Sequence, residues 1–136
     1  MNEVLFSKLE KLKEEVIYLE QNKKRFLKEL QTSIDVKKMA ERSVYLCAEI
    51  ALDIADLFIS VKGLPRPSTY SDSIYKLGDY GVIPKKFAHK FVYIAGLRNF
   101  LAHDYQIDTS TDLERFLKYG LGDIKKFTGY IESHEL

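Results

Sequence analysis

The first 62 residues contain neither proline nor glycine, the two residues that most often interrupt a helix. Apolar side chains recur through residues 5–30 at alternating steps of four and three, with Lys23 in the one missing position. The recurring residues are Leu5, Leu9, Leu12, Val16, Leu19, Phe26 and Leu30. This spacing predicts an amphipathic α-helix with a narrow apolar stripe, packed in a bundle or paired in a dimeric coiled coil.

A second helix is predicted from about Ile34 to Val61, and it is apolar on two sides. One stripe comprises Met39, Leu46, Cys47, Ile50, Ile54, Leu57 and Val61, while Ala48, Ala51, Leu52, Ala55 and Ile59 make the other side apolar. A helix of this kind should be buried on both sides. Gly63 should end it, because the surrounding segment KGLPRPSTY contains two prolines that cannot continue a helix.

The middle of the chain predicts a short helix followed by a longer one. The short helix covers about residues 71–80, with Thr69 or Ser71 as its N-cap and Gly81 after its end. Pro84 can open the longer helix at a position where its missing N–H costs nothing. That helix reads PKKFAHKFVYIAGLRNFLAH.

Thr111 and Glu114 predict a capping box at the start of the last helix. Nowhere does the sequence alternate convincingly with the period of two that strands require. We therefore predict a single all-α domain over residues 1–136, an up-and-down four-helix bundle with one short additional helix.

Composition narrows the classes of function. The chain carries 21 basic and 20 acidic residues, so its net charge of +1 does not by itself require a polyanionic partner. The single cysteine, Cys47, excludes a disulfide framework, and we expect it in the core. Three histidines far apart in sequence predict neither a metal site nor a cofactor. Without a signal-like or membrane-spanning apolar run, we expect a cytoplasmic protein that does not associate with membranes.

The fourth helix carries two different faces. At 100° per residue, one broad apolar face should meet the core, formed by Phe87, Phe91, Ile94, Leu97 and Leu101. Val92, Gly96, Asn99 and His103 share the opposite side. A glycine inside a helix costs about 1 kcal/mol of stability relative to alanine. We therefore expect Gly96 to permit the close approach of another segment to this face. We interpret this second face as a contact surface, most simply the two-fold axis of a homodimer.

Arg98 and His103 lie about 140° apart on a straight helix, so they cannot converge within it. Either the helix ends before His103, or the arginine of one subunit meets the histidine of the other. Such a pair suits phosphodiester chemistry, because histidine moves protons near neutral pH and arginine stabilises charge on phosphate. A structural ion pair of the arginine and a helix-capping histidine would equally explain these residues.

Acidic side chains border the apolar stripe of the second helix. Glu49 and Asp53 are candidates for residues that orient Arg98 or tune His103; ion pairs between bundle helices are the alternative. Tyrosines including Tyr70 could stack on bases, although core packing is the default for aromatic residues.

The segment GLRNFLAHDY resembles the signature of the HEPN superfamily (higher eukaryotes and prokaryotes nucleotide-binding). More narrowly, Arg98, Asn99, His103 and Tyr105 resemble the motif of the HepT toxins: arginine, four residues, histidine, one residue, tyrosine. The segments AERSVYLCAEIALDIADLFIS and GLPRPSTYSDSIYKLGDYGVIP are similar to that family's second helix and to its connection and short third helix. The resemblance covers roughly residues 35–131 and implies a HEPN-like fold.

This resemblance implies the toxin of a type VII toxin–antitoxin system, a metal-independent endoribonuclease that acts as a homodimer, alone or within a larger hetero-oligomer. Arg98, Asn99 and His103 would be its catalytic residues and RNA its substrate. The implied antitoxin is a minimal nucleotidyltransferase of the MntA type, which transfers AMP from ATP to Tyr105. Because some HEPN proteins bind nucleotides or partners without cutting RNA, the alternative is a non-catalytic binding subunit of such a nucleotidyltransferase.

Overall fold

The computed structural model describes residues 2–103 and 107–134, and its regular elements are all helical. They are α1 (Glu3–Glu29), α2 (Ile34–Val61), α3 (Tyr70–Asp79), α4 (Lys85–Phe91), α5 (Tyr93–His103), α6 (Ser110–Arg115) and α7 (Leu121–Glu132). A π-helical segment, Phe116–Gly120, joins α6 directly to α7, and one residue separates α4 from α5. The helices thus form four long units and the short α3, which confirms the predicted all-α architecture.

Polar contacts define how the long helices run. Between α1 and α2, Lys8 pairs with Asp53, while Glu15 accepts a hydrogen bond from Ser43 nearer the turn, so the two helices are antiparallel. Between α1 and α7, Lys13 pairs with Glu132 and Glu20 pairs with Lys125, again in opposite chain directions. The up-and-down order of a helical bundle follows from these pairs.

The core lies where α2 passes between its neighbours. Cys47, Ala51 and Ile54 have no exposed surface, which confirms the prediction that α2 is buried on two sides and that the cysteine belongs to the core. The predicted stripe of α1 is also buried, from Leu5 to Leu30. A central helix lined by small alanines allows neighbours to approach closely on either side, so α2 becomes the scaffold on which α5 is held.

The loop from α2 to α3 begins and ends as predicted. Gly63 follows α2 with a φ of 65°, a left-handed conformation that favours glycine, and Gly81 follows α3 with a φ of 73°. The side-chain oxygen of Thr69 accepts a hydrogen bond from the backbone N–H of Asp72, so Thr69 is the N-cap of α3.

The predicted fourth helix is interrupted at Val92, where the structure differs from the sequence-based expectation. Phe91 stacks on Phe127, while the Tyr93 hydroxyl donates a hydrogen bond to Asp123, and both partners lie on α7. Residues two apart point about 200° away from each other on a regular helix, so both contacts cannot form without a local change of direction.

The predicted capping box of Thr111 and Glu114 is wrong. The helix α6 begins at Ser110, whose backbone N–H donates to the carboxylate of Asp108, and Glu114 pairs with Lys118 instead of returning to the helix start. Because Asp108 is also paired with Lys37 on α2, a tertiary contact determines where this helix begins.

Candidate active site

Arg98 lies in the middle of α5, and its guanidinium reaches across to α2. Its Nε donates to Glu49 Oε2 at 2.6 Å, and its Nη1 donates to Asn99 Oδ1 at 3.1 Å. The Arg98 side chain is 18% exposed, so the ion pair is largely shielded from water. Within residues 2–103 and 107–134, Nη2 has no hydrogen-bond partner, which leaves donors for an anion.

Two tyrosine rings hold the Arg98 guanidinium from its other sides. Its central carbon lies 5.0 Å from the ring centroid of Tyr70 and 5.9 Å from that of Tyr45. The Tyr45 hydroxyl donates to the same Glu49 oxygen, at 2.9 Å. Sequence reasoning missed Tyr45. The signal was its position one turn before Glu49, on the same face of α2.

Electrostatics favour the charged forms of this pair. The hydrogen bond to Glu49 raises the pKa of the Arg98 guanidinium against the opposing effect of burial. Burial alone would raise the pKa of the Glu49 carboxyl, but hydrogen bonds from Arg98 and Tyr45 outweigh it, so this pKa lies below its ordinary value. Arg98 is therefore a fixed cation at neutral pH.

The structure places the other candidate residues differently. Asp53 pairs with Lys8 at 3.7 Å and forms neither a hydrogen bond nor an ion pair with Arg98 or His103 within the described part of the chain. His103 is exposed and, among those residues, has no hydrogen bond or ion pair. Arg98, Asn99 and Glu49 thus form one cluster, and His103 stands apart from it. Tyr105 lies outside the described residues.

The helix α5 continues through His103. Of the two alternatives that the sequence left open, the one in which the helix ends before this histidine is therefore wrong. On a regular helix, the Arg98 and His103 side chains of one chain leave α5 in directions about 140° apart. Gly96, Asn99 and His103 are exposed, whereas Val92, expected on the same face, is half-buried and packs against the core. A Cβ added at Gly96 would meet nothing within 4 Å in the described structure.

Fold and site together define a class, an all-α domain that presents an arginine, an asparagine and a histidine along one helix. The family model of HepT-like proteins, described as ribonuclease HepT-like, matches residues 8–131. Because the match covers most of the chain, the chain belongs to the HepT-like ribonuclease family. Among curated proteins, none matches it significantly.

Solved structures share the fold. The tri-AMPylated HEPN toxin of Shewanella oneidensis, in complex with MNT antitoxin, has a TM-score of 0.85 and 20% identity over 98% of this chain and 100% of that chain. A toxin–antitoxin structure with AMP-PNP has a TM-score of 0.84 and 17% identity, with the same coverage. YutE of Bacillus subtilis, a cytosolic protein of unknown function, has a TM-score of 0.72 and 21% identity over 91% of this chain and 87% of its own.

At these identities the likeness shows that the fold is HEPN-like. Of the helices in the described residues, none combines the length and the apolar character needed to cross a membrane.

Proposed function

We propose that this protein is a toxin that cuts RNA without a metal ion, using Arg98, Asn99 and His103. The observation that carries the proposal is the held guanidinium: Arg98 is fixed by Glu49 and two tyrosine rings, with Nη2 still able to bind an anion. A preorganised cation of this kind stabilises a phosphate in which charge builds up during reaction. Membership of the HepT-like ribonuclease family supports the same reaction class.

In the proposed reaction the RNA supplies its own nucleophile. His103 removes the proton of a 2′-hydroxyl, whose oxygen bonds to the adjacent phosphorus while the bond to the 5′-oxygen breaks. Arg98 stabilises the pentacovalent phosphate between these two events, and Asn99 orients the phosphate. The protonated His103 then gives this proton to the departing 5′-oxygen. The products are a 2′,3′-cyclic phosphate and a free 5′-hydroxyl, so no water or metal ion enters this step.

The active form in this proposal is a homodimer. Since α5 extends to His103, we infer that the His103 of one copy meets the Arg98 of the other across a two-fold axis. The exposed Gly96 supports a close approach of two α5 helices there. An apolar groove of about 560 Å³ adjoins this face, with Phe100 on one side and Tyr119 on the other. It offers further area for the second copy.

Regulation is proposed to act through Tyr105 and a nucleotidyltransferase antitoxin of the MntA type, which binds the toxin in a hetero-oligomer. The hydroxyl oxygen of Tyr105 attacks the α-phosphorus of ATP, loses its proton, and releases pyrophosphate. The resulting phosphodiester carries a negative charge two residues from His103 and can occupy the anion position at Arg98. The toxin–antitoxin neighbours, one of them tri-AMPylated, support this proposal.

Replacing either catalytic residue tests the nuclease. His103→Ala and Arg98→Ala should each lower the rate of RNA cleavage by about 100- to 1,000-fold and should relieve toxicity on expression in bacteria. Gel analysis of a labelled RNA in EDTA should show undiminished cleavage by the unaltered protein.

The matched control is His89→Ala, which removes another exposed histidine and should leave cleavage unchanged. Cleavage lost in EDTA and restored by magnesium would contradict the metal-free step. A protein that never cuts RNA but still binds the nucleotidyltransferase would favour the non-catalytic binding subunit.

Tyr105→Phe tests the regulation, because it keeps the ring and removes the acceptor oxygen. Mass spectrometry after incubation with ATP and the nucleotidyltransferase should show added AMP on the unaltered protein and none on the variant, which should stay nuclease-active. Tyr80→Phe, at an exposed tyrosine away from the motif, is the control and should still gain AMP. Equal modification of Tyr105→Phe would place the acceptor elsewhere.

A further inference from the structure

A cavity of about 720 Å³ lies beside the Arg98 site, between the end of α2 and the start of α3. Tyr70 belongs to both places: its ring is 5.0 Å from the Arg98 guanidinium carbon, and the residue lines the cavity. Pro65 and Pro67 restrict the backbone of the loop that forms one wall. An RNA whose phosphate is held at Arg98 would therefore bring a neighbouring base to this cavity.

Asp56 contributes a carboxylate to the cavity wall. It is half-buried, yet among residues 2–103 and 107–134 it forms neither a hydrogen bond nor an ion pair. Burial and the nearby Asp53 raise the pKa of Asp56 above its ordinary value. An unpaired, partly desolvated carboxylate costs free energy in the empty protein, and a ligand that donates hydrogen bonds to it would recover that cost.

The rest of the lining suits a nucleotide. Ile59 and Leu64 supply apolar surface for a base, and the aromatic Tyr70 can pack against its face. Arg66 is exposed at the cavity and makes no ion pair within the described part of the chain, so its guanidinium is available to a backbone phosphate.

We propose that this cavity binds a guanine base of the RNA substrate, with Asp56 as the residue that recognises it. The inference rests on the proposed nuclease function. Guanine presents two adjacent N–H donors on its Watson–Crick edge, and the two oxygens of a carboxylate accept both at once. Adenine and cytosine place one donor beside an acceptor there, and uracil flanks its single donor with two acceptors. Only guanine matches Asp56 with two hydrogen bonds.

Binding of short RNAs tests the proposal. Fluorescence anisotropy with the His103→Ala variant should show an RNA containing one guanosine bound about tenfold more tightly than the same RNA with adenosine, cytidine or uridine in its place. Asp56→Asn presents one donor and one acceptor, so it should lose this preference and favour adenosine instead. The variant should fold, because it replaces an unpaired buried charge with a neutral group of the same shape.

Asp79→Asn is the matched control, since it alters an exposed aspartate that pairs with Lys85 at the far end of α3. It should keep the preference for guanosine, and Asp56→Ala should bind all four RNAs alike. An unchanged preference in both Asp56 variants would overturn the proposal. Weaker binding of the nucleotidyltransferase, with RNA binding unaltered, would assign the cavity to a protein partner and overturn it as well.

Cleavage mapping separates this inference from the proposed function. The unaltered protein should cut beside guanosines, and Asp56→Asn should redistribute the cuts towards adenosines. If the protein cuts RNA at positions unrelated to guanosine, the nuclease stands and the guanine subsite fails. If RNA is bound with the expected preference but never cut, the subsite stands and the nuclease fails.

Discussion

Arg98 is held by side chains from two other helices, α2 and α3, and Glu49 is the only one of them that carries the opposite charge among the residues the structure describes. Glu49 is 25% exposed on its side chain, and one of its oxygens accepts from both Arg98 and Tyr45. A carboxylate engaged in this way does two things. It stabilises the folded chain, and it keeps the guanidinium in one orientation.

Glu49→Gln should reveal the stabilising effect of this carboxylate through its dependence on pH. The pKa of Glu49 is lowered in the folded protein, so the pair contributes stability above the ordinary value of about 4.3 and loses it as pH falls through the lower folded value. We expect the variant to lose about 1–2 kcal/mol of unfolding free energy at pH 7 and to match the unaltered protein once Glu49 is protonated. Urea unfolding at neutral and at acidic pH measures this difference.

Glu10→Gln is the control for this comparison. Glu10 pairs with Lys13 at 3.7 Å, and its side chain is half-exposed, so its replacement should change the unfolding free energy by less than about 0.5 kcal/mol. A loss at Glu49 that is equal at both pH values would show that the residue acts through packing and not through its charge.

Single residues of the site were predictable only in part. The sequence marked Arg98, Asn99 and His103 because they resemble the HepT motif, and it marked Glu49 and Asp53 equally because both border the stripe of α2. The structure distinguishes Glu49 from Asp53, because Glu49 pairs with Arg98 whereas Asp53 pairs with Lys8 on α1. That distinction depends on which helix packs against which face of α2, and hydrophobic periodicity does not predict this.

The outer face of α5 is uncovered within the part of the chain that the structure describes. Gly96 is exposed there and has open space where a Cβ would lie. Glycine costs roughly 1 kcal/mol in a helix interior, and no contact in the described structure explains that cost. We propose that a contact with a second copy of the chain explains the cost of this glycine.

Gly96→Leu places a large side chain on the proposed axis. It should weaken the dimer at least tenfold and reduce RNA cleavage with it, while raising or preserving the melting temperature, because leucine favours helix and meets no clash within the chain. Light scattering, cleavage of labelled RNA and thermal unfolding measure the three effects.

Gly129→Leu provides the comparison on α7, where a Cβ would also meet nothing within 4 Å in the described structure. This variant should stay dimeric and active. A Gly96→Leu protein that remains dimeric and cuts RNA at the normal rate would contradict the proposed interface.

The helices also show where local patterns stop being informative. Ser33 and Thr69 cap α2 and α3 because each side chain reaches an N–H three residues ahead, a strictly local contact. The start of α6 and the interruption at Val92 depend instead on Asp108 bound to α2 and on Tyr93 bound to α7. Sequence reasoning predicts the first kind of helix end and misses the second.

For the molecule as a whole, helical periodicity was sufficient for the architecture. Long helices that carry an apolar stripe and no internal proline or glycine can pack in few arrangements other than an antiparallel bundle. Because α2 is apolar on two sides, it had to lie inside this bundle. The site was harder, because its arginine reaches α2 and approaches α3 while its histidine points away from both. The proposed contact with a second copy cannot be derived from the pattern of one sequence.

Because α5 extends through His103, the structure bears on how the activity depends on the concentration of the protein. An enzyme with a complete site in each molecule works at a rate proportional to its amount. With Arg98 and His103 directed away from each other in one molecule, the proposed pair would work at a rate that rises with the square of its amount below the dissociation constant. A small number of copies would then have little effect on a cell. A modest increase in synthesis would raise the activity steeply enough to become toxic.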